Sequence, residues 1–202
     1  CTAGSQGIGY AYEAIRFGRQ DLMIAGGSEE LCPTEAAVFD VLYATSTMND
    51  HPEQTPRPFD ARRDGLVVGE GAATLVLESL DHARARGANV LAELTGFGTN
   101  SDGRHVTRPD RASMARVMEL ALADAGLEPS QIDFVSAHGT ATSAAPGLPA
   151  TWRPPAGSSP TSPAATASLC ASPAVSPMTA TIRRAEPHRR PARCIPSRSI
   201  RW

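Results

Sequence analysis

A cysteine stands immediately before a glycine-dotted stretch, CTAGSQGIG, at residues 1–9. Apolar residues spaced as i, i+4 and i+7 predict a helix over residues 5–17, with Cys1 just ahead of it. A thiol in that place meets unpaired backbone N–H groups and the positive end of the helix dipole. Both favour the nucleophilic thiolate. Cys1 is therefore a candidate nucleophile, and an ordinary buried cysteine is the alternative.

A histidine stands in the segment SAHGTAT, residues 136–142. The His138 imidazole can donate a hydrogen bond to an oxygen on which negative charge develops, or it can move a proton. Gly139 would let the backbone approach a ligand. The hydroxyls of Thr140 and Thr142 fall on one side of an extended segment, where they can bind an amide-bearing arm. The alternative is a strand-to-loop turn with a solvated histidine.

Short apolar runs alternate with helical patterns up to residue 137, and this alternation predicts the α/β class. The predicted helices are 5–17, 33–42, 80–86 and 113–125, and the predicted strands are 22–25, 73–77, 90–97 and 132–137. We expect these strands to be buried and the apolar residues of all these elements to form the core. His138 follows the last strand directly, at a carboxyl end, where α/β proteins place functional groups.

Residues 48–65 are polar and rich in proline, which predicts a long loop. The glycines that follow the loop match neither GK[ST] nor GxGxxG, so a phosphate-binding loop is not predicted. Instead, we expect Asp60, Arg62, Asp64 and Glu70 to tie the loop down through ion pairs and contacts to backbone N–H groups.

The composition excludes several classes of protein. No run of eighteen apolar residues is present, so no membrane span is predicted, and no secretory pattern is found. The four cysteines lack CxxC spacing and the histidines lack metal-ligand spacing, so neither a disulfide framework nor a metal site is expected. This cysteine usage fits a reducing compartment and predicts a cytoplasmic protein.

The composition changes abruptly after residue 142. Residues 143–202 carry one acidic residue, 8 of the arginines and 11 of the 17 prolines. Three interpretations remain open. The segment is a disordered basic tail, an arm that binds nucleic acid, or the product of a shifted reading frame, because GC-rich codons read out of register give alanine, proline, arginine and serine. Of these, the nucleic-acid arm is the least favoured, since basic tails are common.

In combination and in this order, the motifs resemble the β-ketoacyl-acyl carrier protein synthases, the condensing enzymes of fatty-acid elongation. The matching stretches are CTAGSQGIGYAYEAIRFGRQDLMIAGGSEELCPTEAAVFD, RPFDARRDGLVVGEGAATLVLE, GFGTNSDGRHVTRP and VSAHGTAT. The resemblance implies a thiolase-like fold of layered αβαβα type, here truncated at both ends and followed by a disordered tail. It divides the chain into 1–87 from the N-terminal half, 88–142 from the C-terminal half, and the tail 143–202.

The resemblance also implies a reaction. The Cys1 thiolate takes an acyl group from a carrier-protein thioester, and decarboxylated malonyl-carrier protein then attacks this group in a Claisen condensation. His138 corresponds to one of two histidines that polarise the malonyl thioester carbonyl. Thr140 and Thr142 correspond to hydroxyls that hold the phosphopantetheine arm of acyl carrier protein. No cofactor of the protein's own is implied, and the intact family forms homodimers.

The resemblance stops at Thr142. The family's active-site lysine, second histidine and glycine-rich stretch are not found in residues 143–202, so we predict an inactive fragment in condensation that aggregates or needs a partner. Three alternatives stay open: a piece of a polyketide-type ketosynthase, an amidohydrolase that uses Cys1 as an N-terminal nucleophile, and a non-catalytic protein whose arginine-rich tail binds nucleic acid.

Overall fold

The computed structural model describes residues 1–104 and 110–143, together with the backbone of residues 168–171, 178–184 and 200–201. The helices are α1 (Ala3–Arg16), α2 (Pro33–Val41), α3 (Leu80–Ala85) and α4 (Arg111–Ala125), with 3-10 turns at Pro52–Gln54 and Pro129–Gln131. The strands are β1 (Leu22–Glu29), β2 (Gly71–Ser79), β3 (Ala92–Thr99), β4 (Phe134–Ala137), β5 (Ser168–Ala171), β6 (Met178–Arg184) and β7 (Ile200–Arg201). Among these residues, no helix has the length and apolar character needed to cross a bilayer.

The seven described strands form one sheet in the order β1-β2-β7-β3-β6-β5-β4. The β4–β5 pair is parallel, and the other neighbours are antiparallel. Helix α1 contacts β1, β2 and β3, whereas α4 contacts β3, β5 and β6. The α/β class predicted from the alternating patterns is confirmed, and every helix and strand predicted before residue 138 is present with shifted ends.

Three of the strands lie in the segment for which disorder was predicted. Strand β5 pairs with β4, β6 pairs with β3, and β7 bridges β2 and β3. Short runs within this segment, such as MTATIRR, favour β structure although the average composition over 143–202 does not. The rest of that segment lies outside the described residues, and the shifted reading frame stays a prediction.

Helix α1 packs its predicted apolar stripe into the main core. Tyr12 and Ile15 are buried, and Ile8 is partly buried against them. The core cluster contains Ala11, Tyr12, Ile15, Leu77, Leu94 and Phe97. The helix that follows Cys1 is thus packed on its buried side against side chains of β2 and β3.

The expectation that every apolar strand residue is core is wrong on one side of β1 and β2. Ile24 and Val76 face each other across the two strands, and they are 68% and 46% exposed. Their neighbours Met23 and Leu75 pack against the core instead. Because side chains alternate along a strand, a continuous apolar run supplies two apolar faces, and the described residues cover only the α1 face.

Helix α4 leads the chain to the predicted histidine. Asp110 caps the helix by accepting the backbone N–H of Ser113 at 2.9 Å, and Gly126 ends it in the left-handed conformation with φ of 63°. Val117 and Met118 are fully buried and contact Val135 of β4. This packing fixes β4, and therefore the start of the SAHGTAT segment, against α4.

Replacing Gly9 by alanine should destabilise the protein by about 1–3 kcal/mol, because it overpacks the interface between α1 and β3. A Cβ at Gly9 would lie 2.1 Å from the Phe97 ring, which is itself in the core. Urea denaturation would measure the free energy of unfolding. Gly69→Ala is the control, since a Cβ there meets nothing within 4 Å. Equal stability of the two variants would contradict the close approach at Gly9.

Candidate active site

Cys1 lies two residues before the first residue of α1, as predicted. Its thiol is free and exposed. Thr2 is the N-cap residue, but its side chain makes no capping hydrogen bond, and the helix starts with the Gln6 N–H donating to the Thr2 carbonyl at 2.7 Å. Because no side chain caps this end, the N–H groups of the first turn can stabilise a negative charge on a nearby group.

Glycines bring the start of α1 close to β1. A Cβ on Gly4 would lie 2.9 Å from Cα of Gly27 and 3.4 Å from the carbonyl oxygen of Gly26. Helix and strand backbones therefore touch at the turn that follows Cys1. This contact holds the helix start in place with no side chain between the two elements.

His138 directly follows β4, and its Nε2 atom is buried without a hydrogen-bond partner in the described part of the chain. Burial lowers the pKa of His138. The backbone nitrogen of Cys1 lies within electrostatic reach of this ring, although the two residues are 137 positions apart in the sequence. The ring is kept neutral, with one N–H to donate.

The turn after His138 is tightly coiled. Gly139 and Ala141 have φ angles of 58° and 60°, so the prediction of an extended segment is wrong. Glycine adopts a positive φ without strain, which suits position 139. A Cβ there would also lie 3.2 Å from the Phe59 ring. The hydroxyls of Thr140 and Thr142 nevertheless lie together, with their Oγ1 atoms 3.1 Å apart.

Arg63 joins the long loop to this turn. Its Nε donates to the carbonyl of Thr142 at 3.1 Å, and its Nη2 donates to the carbonyl of Ser143 at 3.4 Å. A third bond runs from Nη1 to the carbonyl of Asp60 at 3.0 Å. The guanidinium thus fixes the backbone that carries the two threonine hydroxyls.

Contacts of the predicted kinds are present at all four charged residues, but the Glu70 contact lies outside the loop at residues 48–65 and the Arg62 pair is internal to it. Arg62 pairs with Asp60 at 2.9 Å, and this side-chain hydrogen bond holds the pKa of Asp60 far below its usual range. Asp64 accepts hydrogen bonds from the Ser46 hydroxyl and the Thr47 N–H, and Glu70 accepts from the Leu31 N–H at 3.4 Å.

In the described residues, no group of three or more histidine, cysteine or acidic residues could hold a metal ion.

Cys1 should react with iodoacetamide about tenfold faster than Cys32 near neutral pH, because its thiol is exposed at an uncapped helix end. Cys32 is a matched internal reference. It is also free and precedes a helix, but it is half-buried, and its sulfur accepts the Glu35 N–H at 3.4 Å. Peptide mass spectrometry after timed labelling would give both rates, and equal rates would count against an activated Cys1.

A thiol at a helix start and a histidine at a strand end lie on a thiolase-like α/β fold, the fold of ketosynthases. The chain belongs to the β-ketoacyl synthase family. The N-terminal domain of that family, described as "Beta-ketoacyl synthase, N-terminal domain", matches residues 1–83, and the C-terminal domain matches residues 91–146. The family inferred from the motifs is confirmed.

Known relatives include enzymes of two pathways. The chain is 47% identical over 148 residues to 3-oxoacyl-[acyl-carrier-protein] synthase 2 of Rhizobium meliloti, covering 71% of this chain and 35% of that protein. It is 49% identical over 145 residues to putative polyketide beta-ketoacyl synthase 1 of Streptomyces cyaneus, covering 70% and 34%. The chain therefore spans about a third of the length of these curated relatives.

A solved structure supports the same assignment. The crystal structure of a beta-ketoacyl synthase from Burkholderia phymatum is similar with a TM-score of 0.80 and 40% identity, over 92% of this chain and 60% of that chain. Most of the arginine-rich tail that was considered for nucleic-acid binding lies outside the described residues.

Proposed function

We propose that this chain carries the acyl-transfer centre of a 3-oxoacyl-acyl carrier protein synthase of fatty-acid elongation. Cys1 is the nucleophile, His138 is the hydrogen-bond donor, and Thr140 and Thr142 bind the phosphopantetheine arm. The observation that carries the proposal is the Nε2 atom of His138, which is buried and has no hydrogen-bond partner in the described part of the chain. A nucleophile and a donor that converge in this way suit attack on a thioester.

In the first step, the Cys1 thiolate attacks the carbonyl carbon of an acyl thioester on acyl carrier protein. A new carbon–sulfur bond forms to Cys1, the bond to the phosphopantetheine sulfur breaks, and that thiolate leaves and takes up a proton. The paired Thr140 and Thr142 hydroxyls, 3.1 Å apart, can bind amide groups of the arm. Arg63 keeps their backbone in place.

In the second step, malonyl-carrier protein loses carbon dioxide as the bond between its carboxylate and α-carbon breaks. The electron pair forms a new bond to the acyl carbon on Cys1, and the Cys1 thiolate is released. The enolate oxygen that develops on the malonyl thioester needs hydrogen-bond donors, and a neutral His138 supplies one of them. We expect both half-reactions to be measurable separately, the first as acyl transfer to Cys1 and the second as release of carbon dioxide.

The partners follow from the same proposal. The substrate arrives on acyl carrier protein, whose phosphopantetheine bears the reacting thioester, so the protein needs no cofactor of its own. We propose a cytoplasmic protein that pairs with a second copy, as expected for the intact family. The solvent-facing apolar side chains Ile24 and Val76 of β1 and β2 are consistent with a surface that a further chain covers.

The test is acylation of the complete 202-residue chain by carrier protein charged with a saturated acyl group. Intact-mass and peptide mass spectrometry should find the acyl group on Cys1 and not on Cys32. Cys32→Ser serves as the matched control and should acylate normally. Acylation that is absent, or that persists when Cys1 is replaced, would overturn the proposed function.

A polyketide-type ketosynthase is the second candidate, favoured by the 49% identity to the Streptomyces cyaneus protein. The two candidates differ in the acyl group that Cys1 accepts. A fatty-acid synthase should prefer a fully reduced acyl chain, whereas a polyketide enzyme should accept a β-ketoacyl chain at a comparable rate. Competition between the two carrier-bound donors, read by the mass added to Cys1, separates them.

A further inference from the structure

A charged cluster joins the middle of α1 to the end of α4. The Tyr12 hydroxyl lies 2.9 Å from Oδ2 of Asp124 and 3.1 Å from the carbonyl oxygen of Thr95, and both oxygens accept its proton. Arg16 donates to the other oxygen of Asp124 and to the Tyr12 hydroxyl. Three side chains from two helices therefore share one hydrogen-bond network, which we call the Asp124 cluster.

Asp124 also holds β3. Its Oδ2 accepts the backbone N–H of Phe97 at 3.0 Å. The Phe97 ring in turn occupies the space that a side chain at position 9 of α1 would need. One carboxylate thus fixes α4, α1 and β3 relative to one another.

The Asp124 cluster crosses the boundary between the two family domains. Tyr12 and Arg16 lie in the part that matches the N-terminal domain, whereas Asp124 lies in the part that matches the C-terminal domain. The proposed catalytic groups are divided in the same way, with Cys1 in the first part and His138 in the second. The cluster therefore lies where the relative position of the two groups is set.

The buried member of the cluster is Tyr12, whereas the side chains of Arg16 and Asp124 are 28% and 29% exposed. Tyr12 is 3% exposed, and burial raises its pKa, as does the Asp124 charge, so the phenol stays protonated and donates. Loss of the Asp124 carboxylate would leave the Phe97 N–H without its acceptor and would remove one of the two acceptors of the Arg16 guanidinium. An unpaired group of this kind is costly, so the helices would shift to find another partner.

Helix α1 converts such a shift into a displacement of Cys1. Cys1 lies eleven positions before Tyr12, a distance of about 16 Å along the helix axis at 1.5 Å per residue. A tilt of about 4° at Tyr12 then moves the start of the helix by about 1 Å, a misplacement that can cost about a hundredfold in rate. The reacting groups themselves would remain intact.

We propose that Asp124, acting through Tyr12 and Arg16, is a positioning residue that sets the separation of Cys1 and His138. This inference rests on the proposed function, because the pair matters only where both groups act on one substrate. The Asp124 cluster does not touch substrate. Its effect is on the geometry of two groups on different parts of the chain.

The experiment compares Asp124→Asn with Glu119→Gln in the complete chain. Glu119 is a matched control, since it is an acidic residue of the same helix whose pair with Arg116 is exposed. Dibromoacetone bridges a thiol and an imidazole only when they are adjacent, so the yield of Cys1–His138 cross-link, read by mass spectrometry, reports their separation. Iodoacetamide labelling of Cys1 and the circular dichroism spectrum report whether the thiol and the fold persist.

We expect Asp124→Asn to lower the cross-link yield about tenfold, with Cys1 labelling and the spectrum unchanged. For acyl transfer we expect a lower kcat with the KM for acyl carrier protein retained, since the docking surface is untouched. Glu119→Gln should match the unmodified chain. Tyr12→Phe keeps the charges and removes the three hydrogen bonds of the Tyr12 hydroxyl, and it should give an intermediate yield. This variant decides the matter if Asp124→Asn does not fold.

Two results would overturn the inference. One is a cross-link that forms equally well in the unmodified chain, Asp124→Asn and Tyr12→Phe, and the other is the absence of a cross-link in the unmodified chain. If the unmodified chain cross-links in an Asp124-dependent way but accepts no acyl group, the inference stands and the proposed function fails. The two hypotheses are therefore separable in one set of samples.

Discussion

Substitution of Cys1 by serine should reduce acyl transfer from acyl carrier protein by a factor on the order of 10⁴ or more, the loss typical of a removed nucleophile. A hydroxyl at this position keeps the approximate size of the side chain but not its reactivity, because a serine hydroxyl ionises far less readily than a cysteine thiol. The uncapped helix end can stabilise a thiolate, but it cannot deprotonate an alcohol. The measurement is the rate at which the acyl mass appears on the chain.

Cys32→Ser is the matched control for this loss. Both residues are free cysteines ahead of a helix, and only Cys1 is proposed to react with the substrate. We expect Cys32→Ser to acylate at the rate of the unmodified chain. A Cys1→Ser variant that acylates within tenfold of the unmodified chain would place the nucleophile elsewhere.

The positions of helices and strands before residue 138 follow from spacing alone. The apolar stripe that includes Tyr12 and Ile15 predicts α1, and the run before the first double glycine predicts β1. These predictions succeed because local periodicity is set by local backbone geometry. The placement of Cys1 before α1 and of His138 after β4 follows from the same argument.

Contacts between distant parts of the chain could not be predicted in this way. Tyr12 and Arg16 lie one turn apart on α1, which is visible in the sequence, but nothing local identifies Asp124 as their acceptor. Likewise, Arg63 is conspicuous as a charge in a loop, but its bond to the Thr142 carbonyl depends on how two segments meet. Hydrogen bonds to backbone carbonyls carry no residue-type signal in the partner, so only the folded chain identifies them.

The strands of the last segment and the exposed face of β1 show two different limits of prediction from sequence. Composition describes an average, and β6 is a seven-residue exception within a stretch dominated by proline and alanine. For β1, the apolar run is present, but burial depends on what covers each face, and Ile24 is left facing solvent. Sequence patterns indicate which residues can be buried, whereas packing decides which ones are.

Substitution of His138 by alanine should slow malonyl decarboxylation about a hundredfold, because losing one oxyanion donor costs about 3 kcal/mol in the transition state. His138→Gln keeps an N–H donor and should lose less. His51→Gln is the control, since His51 is an exposed histidine in the loop with a distant weak pair to Glu53. Release of labelled carbon dioxide from malonyl-carrier protein measures the step, and equal loss in all three variants would contradict a specific role.

The pH dependence tests the protonation state of the same ring. Burial lowers the pKa of His138 in the folded chain, so the ring is neutral at and somewhat below the ordinary histidine pKa of about 6.5. If the neutral ring is the active donor, decarboxylation should stay level as the pH falls from about 8 to about 6.5 and decline only below that. His138→Gln should remove the decline, because its amide does not titrate. A rate that falls with a midpoint above about 6.5, or a decline that persists in His138→Gln, would show that a neutral His138 does not control the step.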